Sequence, residues 1–181
     1  TFVEKEACPN NLAPTTSTTA QLVMGDALAV CLLELKGFTS KDFAKYHPGG
    51  ALGKRLYLRV SDLIKNNELP QVSENDSVVK VIVEISEKRL GVTAVIKDDE
   101  IIGIITDGDL RRMLSKTTEI NNFTAKDIMG NNPKIIHENA MAIEALEALE
   151  NNSITQILVT DDTNKYVGVV HLHDLIKEGI F

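Results

Sequence analysis

Cysteine is scarce: Cys8 and Cys31 are the only two in 181 residues. They lack Cys-x-x-Cys spacing, so they offer neither a zinc site nor a disulfide framework and read as two reduced, small apolar side chains. Long apolar runs are missing as well. The longest, Leu22 to Leu35, is cut by Gly25, Asp26 and Glu34, short of the roughly 20 residues that span a bilayer. No basic-then-apolar leader opens the chain. These absences point to the cytoplasm and away from a membrane. Basic charge is in deficit, 19 Lys and Arg against 26 Asp and Glu for a net charge of −7, which argues against nucleic acid as a partner. The chain also opens at Thr1, without a Met, as a piece of a longer chain would.

What is present is a sentence said twice. Val60 to Leu114 begins Val-Ser-Asp-Leu-Ile and ends Ile-Ile-Gly-Ile-Ile-Thr-Asp-Gly-Asp-Leu-Arg-Arg-Met-Leu. Ala125 to Gly179 begins Ala-Lys-Asp-Ile-Met and ends Tyr-Val-Gly-Val-Val-His-Leu-His-Asp-Leu-Ile-Lys-Glu-Gly. A period of roughly 60 to 65 residues is too long for a solenoid unit and fits two copies of a small α/β module. Each copy reads as a polar lead-in (Ser73–Asp76, His137–Ala140), an amphipathic helix (Val78 to Lys88, Met141 to Asn151), and two β-runs about an acidic turn. The runs are Val92 to Lys97 with Ile101 to Ile105, and Ile154 to Thr160 with Tyr166 to Val170. A short helix then closes the unit. Two runs joined by a short polar turn form a hairpin, which needs helices on one face to be stable. One such unit has a thin core, so two should stack. Ser115 to Thr124 reads as a linker.

Ahead of the repeats, helical spacing runs from Ala20 to Leu35, with a cap from Ser17–Thr19 and Gly37 as the C′ residue. Thr39, with Asp42 three residues on, offers a capping box for a short helix ending near Tyr46. His47-Pro48-Gly49-Gly50 breaks it. Pro48 pushes His47 toward extended backbone, and Gly49 and Gly50 are suited to a turn at φ > 0. Residues 1–57 carry six basic and five acidic side chains, the less acidic part and so the better home for an anionic substrate.

The motif Gly103-Ile104-Ile105-Thr106-Asp107-Gly108-Asp109-Leu110-Arg111, repeated after a second hairpin, resembles the cystathionine-β-synthase (CBS) domain, which occurs in tandem. The resemblance covers residues 60 to 179. It implies a nucleotide site at Thr106, Asp107 and Asp109, with Asp174 in the second copy. A helix start suits a phosphate, Thr106 offers a hydroxyl, and Asp109 can accept from ribose hydroxyls. The alternative is that Thr106 caps a helix and Asp109 completes a capping box. In the second copy His171 replaces Thr106, a poorer and larger cap. His171 and His173 do not share a helix face, so no metal is expected, and no cofactor either.

The order Leu12-Ala13-Pro14-Thr15-Thr16-Ser17-Thr18-Thr19, a helix, Tyr46-His47-Pro48-Gly49-Gly50-Ala51-Leu52-Gly53-Lys54-Arg55, then a CBS pair, is similar to the bacterial D-arabinose 5-phosphate isomerases. Those enzymes join a sugar isomerase (SIS) domain to tandem CBS domains. The resemblance implies three parts: 1–57 as the C-terminal helical part of an α/β SIS domain, 58–115 as CBS domain 1, and 124–181 as CBS domain 2. It implies that His47 is catalytic and that a sugar phosphate is the substrate, with a homo-oligomer, a tetramer in the family. Thr15, Thr16, Ser17 and Thr18 could line the phosphate site with hydroxyls and a helix N-terminus, or could be a capped, solvated loop. The alternative for His47 is a turn residue packed at a domain junction. Two other functions compete with the isomerase: a CBS pair that senses a nucleotide or a CMP-sugar, and a module that only assembles an oligomer. The SIS core with its phosphate loop is expected upstream, so this chain alone should have little isomerase activity.

Overall fold

The computed structural model describes residues 1–47, 49–117 and 119–181, with backbone only for Ala51 and Leu52. The expected influence of Pro48 lies outside the described residues. The chain divides into two compact units, Thr1–Tyr46 and His47–Phe181.

The first unit is built on α1 (Thr16–Leu35) and α2 (Ser40–Tyr46). Helix α1 begins four residues earlier than its apolar spacing indicates. The expected hydroxyl cap is not what starts it. Thr15 sits at the N-cap without a side-chain cap bond, and the carboxylate of Glu6 receives the Thr15, Thr16 and Ser17 amides at 2.7, 2.7 and 3.2 Å. Its C-terminus follows the sequence: Gly37 has φ 60°, and the Phe38 and Gly37 amides return to the Leu33 and Glu34 carbonyls, satisfying groups the helix leaves open. Thr39 and Asp42 exchange the expected capping bonds.

The second unit opens with α3 (Ala51–Tyr57). Its start corrects the glycine expectation. Gly50 is the N-cap at φ −78°, and the turn closes by Gly50 N–H donating to the His47 carbonyl. Helix α4 (Val60–Ile64) precedes β1 (Gln71–Ser73), α5 (Val78–Lys88), β2 (Val92–Lys97), β3 (Glu100–Thr106) and α6 (Asp107–Leu114). After a 3₁₀ turn the order recurs as α7 (Ala125–Ile128), β4 (Ile135–His137), α8 (Ala142–Asn151), β5 (Gln156–Thr160), β6 (Tyr166–His171) and α9 (Leu172–Lys177). Each half holds a three-stranded sheet, its first strand parallel and its third antiparallel to the middle one. The hairpins and long helices are where the patterning put them. The short strands β1 and β4 were not foreseen. The first hairpin turns at Asp98 and Asp99, both at positive φ, the conformation a two-residue turn demands.

The halves are interlocked. Val60 and Leu63 of α4 are buried in one core with Ala142, Leu146, Val159 and Leu175 of the second repeat. Ala125 of α7 is buried among Val72, Val78, Ile105 and Leu110 of the first. Backbone bonds repeat the exchange, Val60 N–H to the Ala140 carbonyl and Ala125 N–H to the Asp76 carbonyl. A third core joins the sheets through Val92 and Ala94 of one and Leu158, Tyr166 and Val169 of the other. The Tyr166 hydroxyl donates to the Pro70 carbonyl at 2.9 Å, so this buried polar atom is satisfied.

Candidate ligand-binding site

Helix α6 starts where β3 ends because Thr106 stays extended (φ −112°, ψ 165°) and closes a capping box. The Thr106 amide and hydroxyl donate to Asp109 Oδ2 at 2.9 and 2.6 Å, and the Asp109 amide returns to the Thr106 oxygen. The other carboxylate oxygen, Oδ1, receives Arg112 Nη2 at 2.6 Å. Burial pushes the Asp109 carboxyl up, but the Thr106 and Arg112 hydrogen bonds outweigh it and hold it below its ordinary range. Asp109 is therefore ionised at neutral pH.

Asp109 lines a cleft of about 350 Å³ between α6 and α7, together with Arg112, Met113, Lys116, Phe123, Asp127 and Ile128. Two cations, two carboxylates and three apolar side chains converge there. Such a mixture suits a ligand with an apolar face, hydroxyls and an anionic group. Two of the helix-start amides expected to face an anion are already engaged within the protein. The α6 amides of Asp107 and Asp109 are taken by the Gly91 carbonyl and the Thr106 hydroxyl, and the positive charge in the cleft comes from Arg112 and Lys116. Asp107 is exposed, and its Oδ2 would lie 3.3 Å from a Cβ built on Gly91, away from the residues that line the cleft.

The second copy is built alike and finished differently. The His171 imidazole does serve as a cap, its Nδ1 accepting from the His173 amide at 3.0 Å, while the His171 amide donates to Asp174 Oδ2 at 3.1 Å. Burial lowers the His171 pKa, with His173 and Lys177 adding to that and Asp174 opposing it, so the ring is neutral and free to accept. Asp174 Oδ2 also receives Asn67 Nδ2 at 2.9 Å. The corresponding cleft, lined by Asp62, Leu63, Asn66, Asn67, Asp174, Lys177 and Glu178, holds about 160 Å³.

In the first unit, the amides expected to cradle a phosphate hold Glu6 instead, and the Thr18 and Thr19 hydroxyls donate back to the Pro14 and Thr15 carbonyls. Hydrogen bonds led by the Ser17 side chain bring the Glu6 carboxyl down to about 2. His47 is exposed at the start of the second unit. Sequence reasoning missed Glu6, Arg112, Lys116, Phe123, Asp127 and Asn67. Arg112 was findable, three residues after Asp109 on a helix. The others meet their partners only through the fold.

A model of the CBS domain matches residues 60–116 and 125–180. The chain belongs to the CBS-domain family. A solved CBS domain superposes with a TM-score of 0.62 at 22% identity, covering 68% of this chain and 98% of that one. A CBS-domain protein from Pyrobaculum aerophilum complexed with AMP gives 0.59 at 20%, covering 65% and 90%. At these identities the likeness is one of fold. The similarity to bacterial arabinose 5-phosphate isomerases extends beyond the pair. The arabinose 5-phosphate isomerase KdsD of Francisella tularensis is 49% identical over 97% of this chain and 54% of its own length. That of Yersinia pestis is 48% identical over 98% and 55%. The chain thus spans about half the length of these relatives.

Proposed function

We propose that this chain is the C-terminal part of a D-arabinose 5-phosphate isomerase, which interconverts D-ribulose 5-phosphate and D-arabinose 5-phosphate for Kdo and lipopolysaccharide synthesis. The observation that carries the reading is near-half identity to named isomerases across the residues ahead of the CBS pair as well as the pair itself. The reaction moves a proton between C1 and C2 through an enediol. It needs a base that titrates near neutrality, a role for which histidine is suited. His47 takes that role. The Thr15–Thr18 segment contributes to substrate binding, with Glu6 as the carboxylate that an incoming phosphate would have to displace. Helix α1 fits the interior of a SIS domain. It is 20 residues long with no buried residue, and Leu22, Leu28, Leu33 and Leu35 are all exposed. A helix apolar all round belongs inside a larger body. By length and composition it would also cross a membrane, but Asp26 and Glu34 lie within it, and a core helix of a cytoplasmic, oligomeric enzyme accounts for both facts.

The CBS pair is read as the regulatory module, binding a nucleotide or a CMP-sugar in the Asp109 cleft. A ligand sensor or assembly module without catalysis is the competing reading, favoured by the pair having its own cores. Assays with ribulose 5-phosphate separate the two. In the longer enzyme, His47→Ala should lower kcat by about 10²- to 10⁴-fold and leave CBS ligand binding unchanged. Residues 1–181 alone should turn over little or nothing. Full activity in the His47→Ala enzyme would remove His47 from the chemistry.

A further inference from the structure

Helix α3 precedes the first repeat in the chain but is fastened to the second. Lys54 Nζ pairs with Glu178 Oε2 at 2.8 Å, and Arg55 Nη2 donates to the Phe181 carbonyl at 2.9 Å. Just past the helix, the Leu58 carbonyl receives the Ala142 amide at 2.8 Å, and Leu58 packs on the core that holds Leu146 and Leu175. Arg59 and Met141 then form an antiparallel bridge. The two acceptors that α3 grips are themselves held. Gly179 turns the chain at φ 75°, and Ile180 is fully buried in the same core. The Ile180 amide donates to the Leu175 carbonyl at 2.9 Å, and the Glu178 amide to that of Asp174 at 3.2 Å. Residues 178–181 therefore form a fixed ledge beside α9.

The other end of α3 leads to His47. The Lys54 amide donates to the Gly50 carbonyl at 2.9 Å, and the Gly50 amide donates to the His47 carbonyl at 3.1 Å. Lys54 is thus bonded toward the turn through its amide and to the ledge through its ammonium. A glycine in the turn gives the backbone many conformations to choose from, so a fixed neighbour has to select one. We propose that Lys54 and Arg55 are positioning residues for His47, and that through them the second repeat forms part of the frame that aims the catalytic base. This rests on the reading of His47 as that base and goes beyond it. An ion pair as exposed as Lys54–Glu178 is weak alone. Here it acts together with the Arg55 and Leu58 contacts on one short helix. Catalysis magnifies what such a grip controls, because a misplacement of about 1 Å can cost about a hundredfold in rate.

Steady-state kinetics of the longer enzyme with ribulose 5-phosphate tests it. The double variant Lys54→Ala/Arg55→Ala should lower kcat by about tenfold and change KM by less than about twofold, because the grip on the base is lost and the groups that bind substrate are kept. Lys54→Glu should also lower kcat. Lys54→Glu/Glu178→Lys restores the pair with its charges exchanged and should bring kcat back to within about threefold of the unaltered enzyme. This exchange decides the matter if the alanine pair does not fold. An unchanged kcat in a folded alanine pair, or an exchanged pair as slow as Lys54→Glu alone, overturns the inference. So does a loss confined to KM, which would make these cations substrate ligands. If His47→Ala is inactive in the same assays, the catalytic reading survives each of those results. Full activity in His47→Ala overturns that reading and this inference together.

Discussion

Gly103 stands in the motif that gave the family away, yet its reason for being glycine is not in the motif. A Cβ built there would lie 2.5 Å from Met129 Sδ and 3.1 Å from the Gly130 carbonyl. Gly168, its counterpart in the second repeat, would meet Ile64 Cδ1 at 2.9 Å and Cβ at 3.2 Å. Each glycine makes room for the opening helix of the other repeat or the residues just after it. Met129 could bend away, but the Gly130 carbonyl is tied into the bridge with Ile104. Gly103→Ala should therefore destabilise the protein by about 1–3 kcal/mol, the usual cost of overpacking. Gly108→Ala is the control: its Cβ would meet the mobile end of Arg112 at 3.2 Å, and the change should stay within about 1 kcal/mol. Urea unfolding of both variants reads the difference, and equal midpoints would refute the packing argument. The sequence showed that a glycine belongs at this place in the repeat. It could not show what the glycine faces, because the neighbour is about 26 residues further along and belongs to the other half.

At the level of elements, periodicity served well where runs were long and failed where they were short. The helix Val78–Lys88 and the strand Val92–Lys97 lie where the spacing puts them. Strands β1 and β4 are three residues each, too few to show alternation, and they exist because the edge of a middle strand is there to pair with. Helix α1 gives a third case. Its apolar run was legible, but its first turn was not, because the group that starts it is Glu6, nine residues before Thr15 in the chain. A carboxylate there complements the exposed amides and the positive end of the helix dipole. Since folding lowers the Glu6 pKa from 4.5 to about 2, the unfolded chain binds the proton more readily and stability rises with pH across that window. The contribution is present in full above about pH 4.5 and fades as pH falls toward 2. In carboxyl NMR, Glu6 should titrate near 2, and Glu6→Gln should remove that window from the helix signal. A Glu6 midpoint near 4.5 would mean that the carboxylate does not hold the helix start.

For the whole molecule, the repeat was read as two stacked units, and the structure adds that neither unit is complete. Val60 and Leu63 come to rest in the core built on Leu146, Val159 and Leu175, and Ala125 in the core built on Val72, Val81 and Ile105. The symmetric exchange leaves each half with a hole where its partner's helix belongs. Isolation also exposes Val92 and Ala94 of the first half and Leu158 of the second, all fully buried between the sheets in the intact pair. Half of a pair is about 60 residues, a size at which a single thin core barely balances chain entropy. Cutting the chain between Ser115 and Thr124 should therefore give two pieces whose repeat halves have each lost their sheet signal in circular dichroism. Mixed together, they should recover the native spectrum, because the bonds from Val60 to Ala140 and from Ala125 to Asp76 cross the cut and need no continuous backbone. The Asp109 cleft would return with them, since α7 supplies Asp127 and Ile128 to a wall that α6 alone cannot form. Pieces that fold separately and fail to associate would show that the exchanged helices decorate two independent domains rather than complete them.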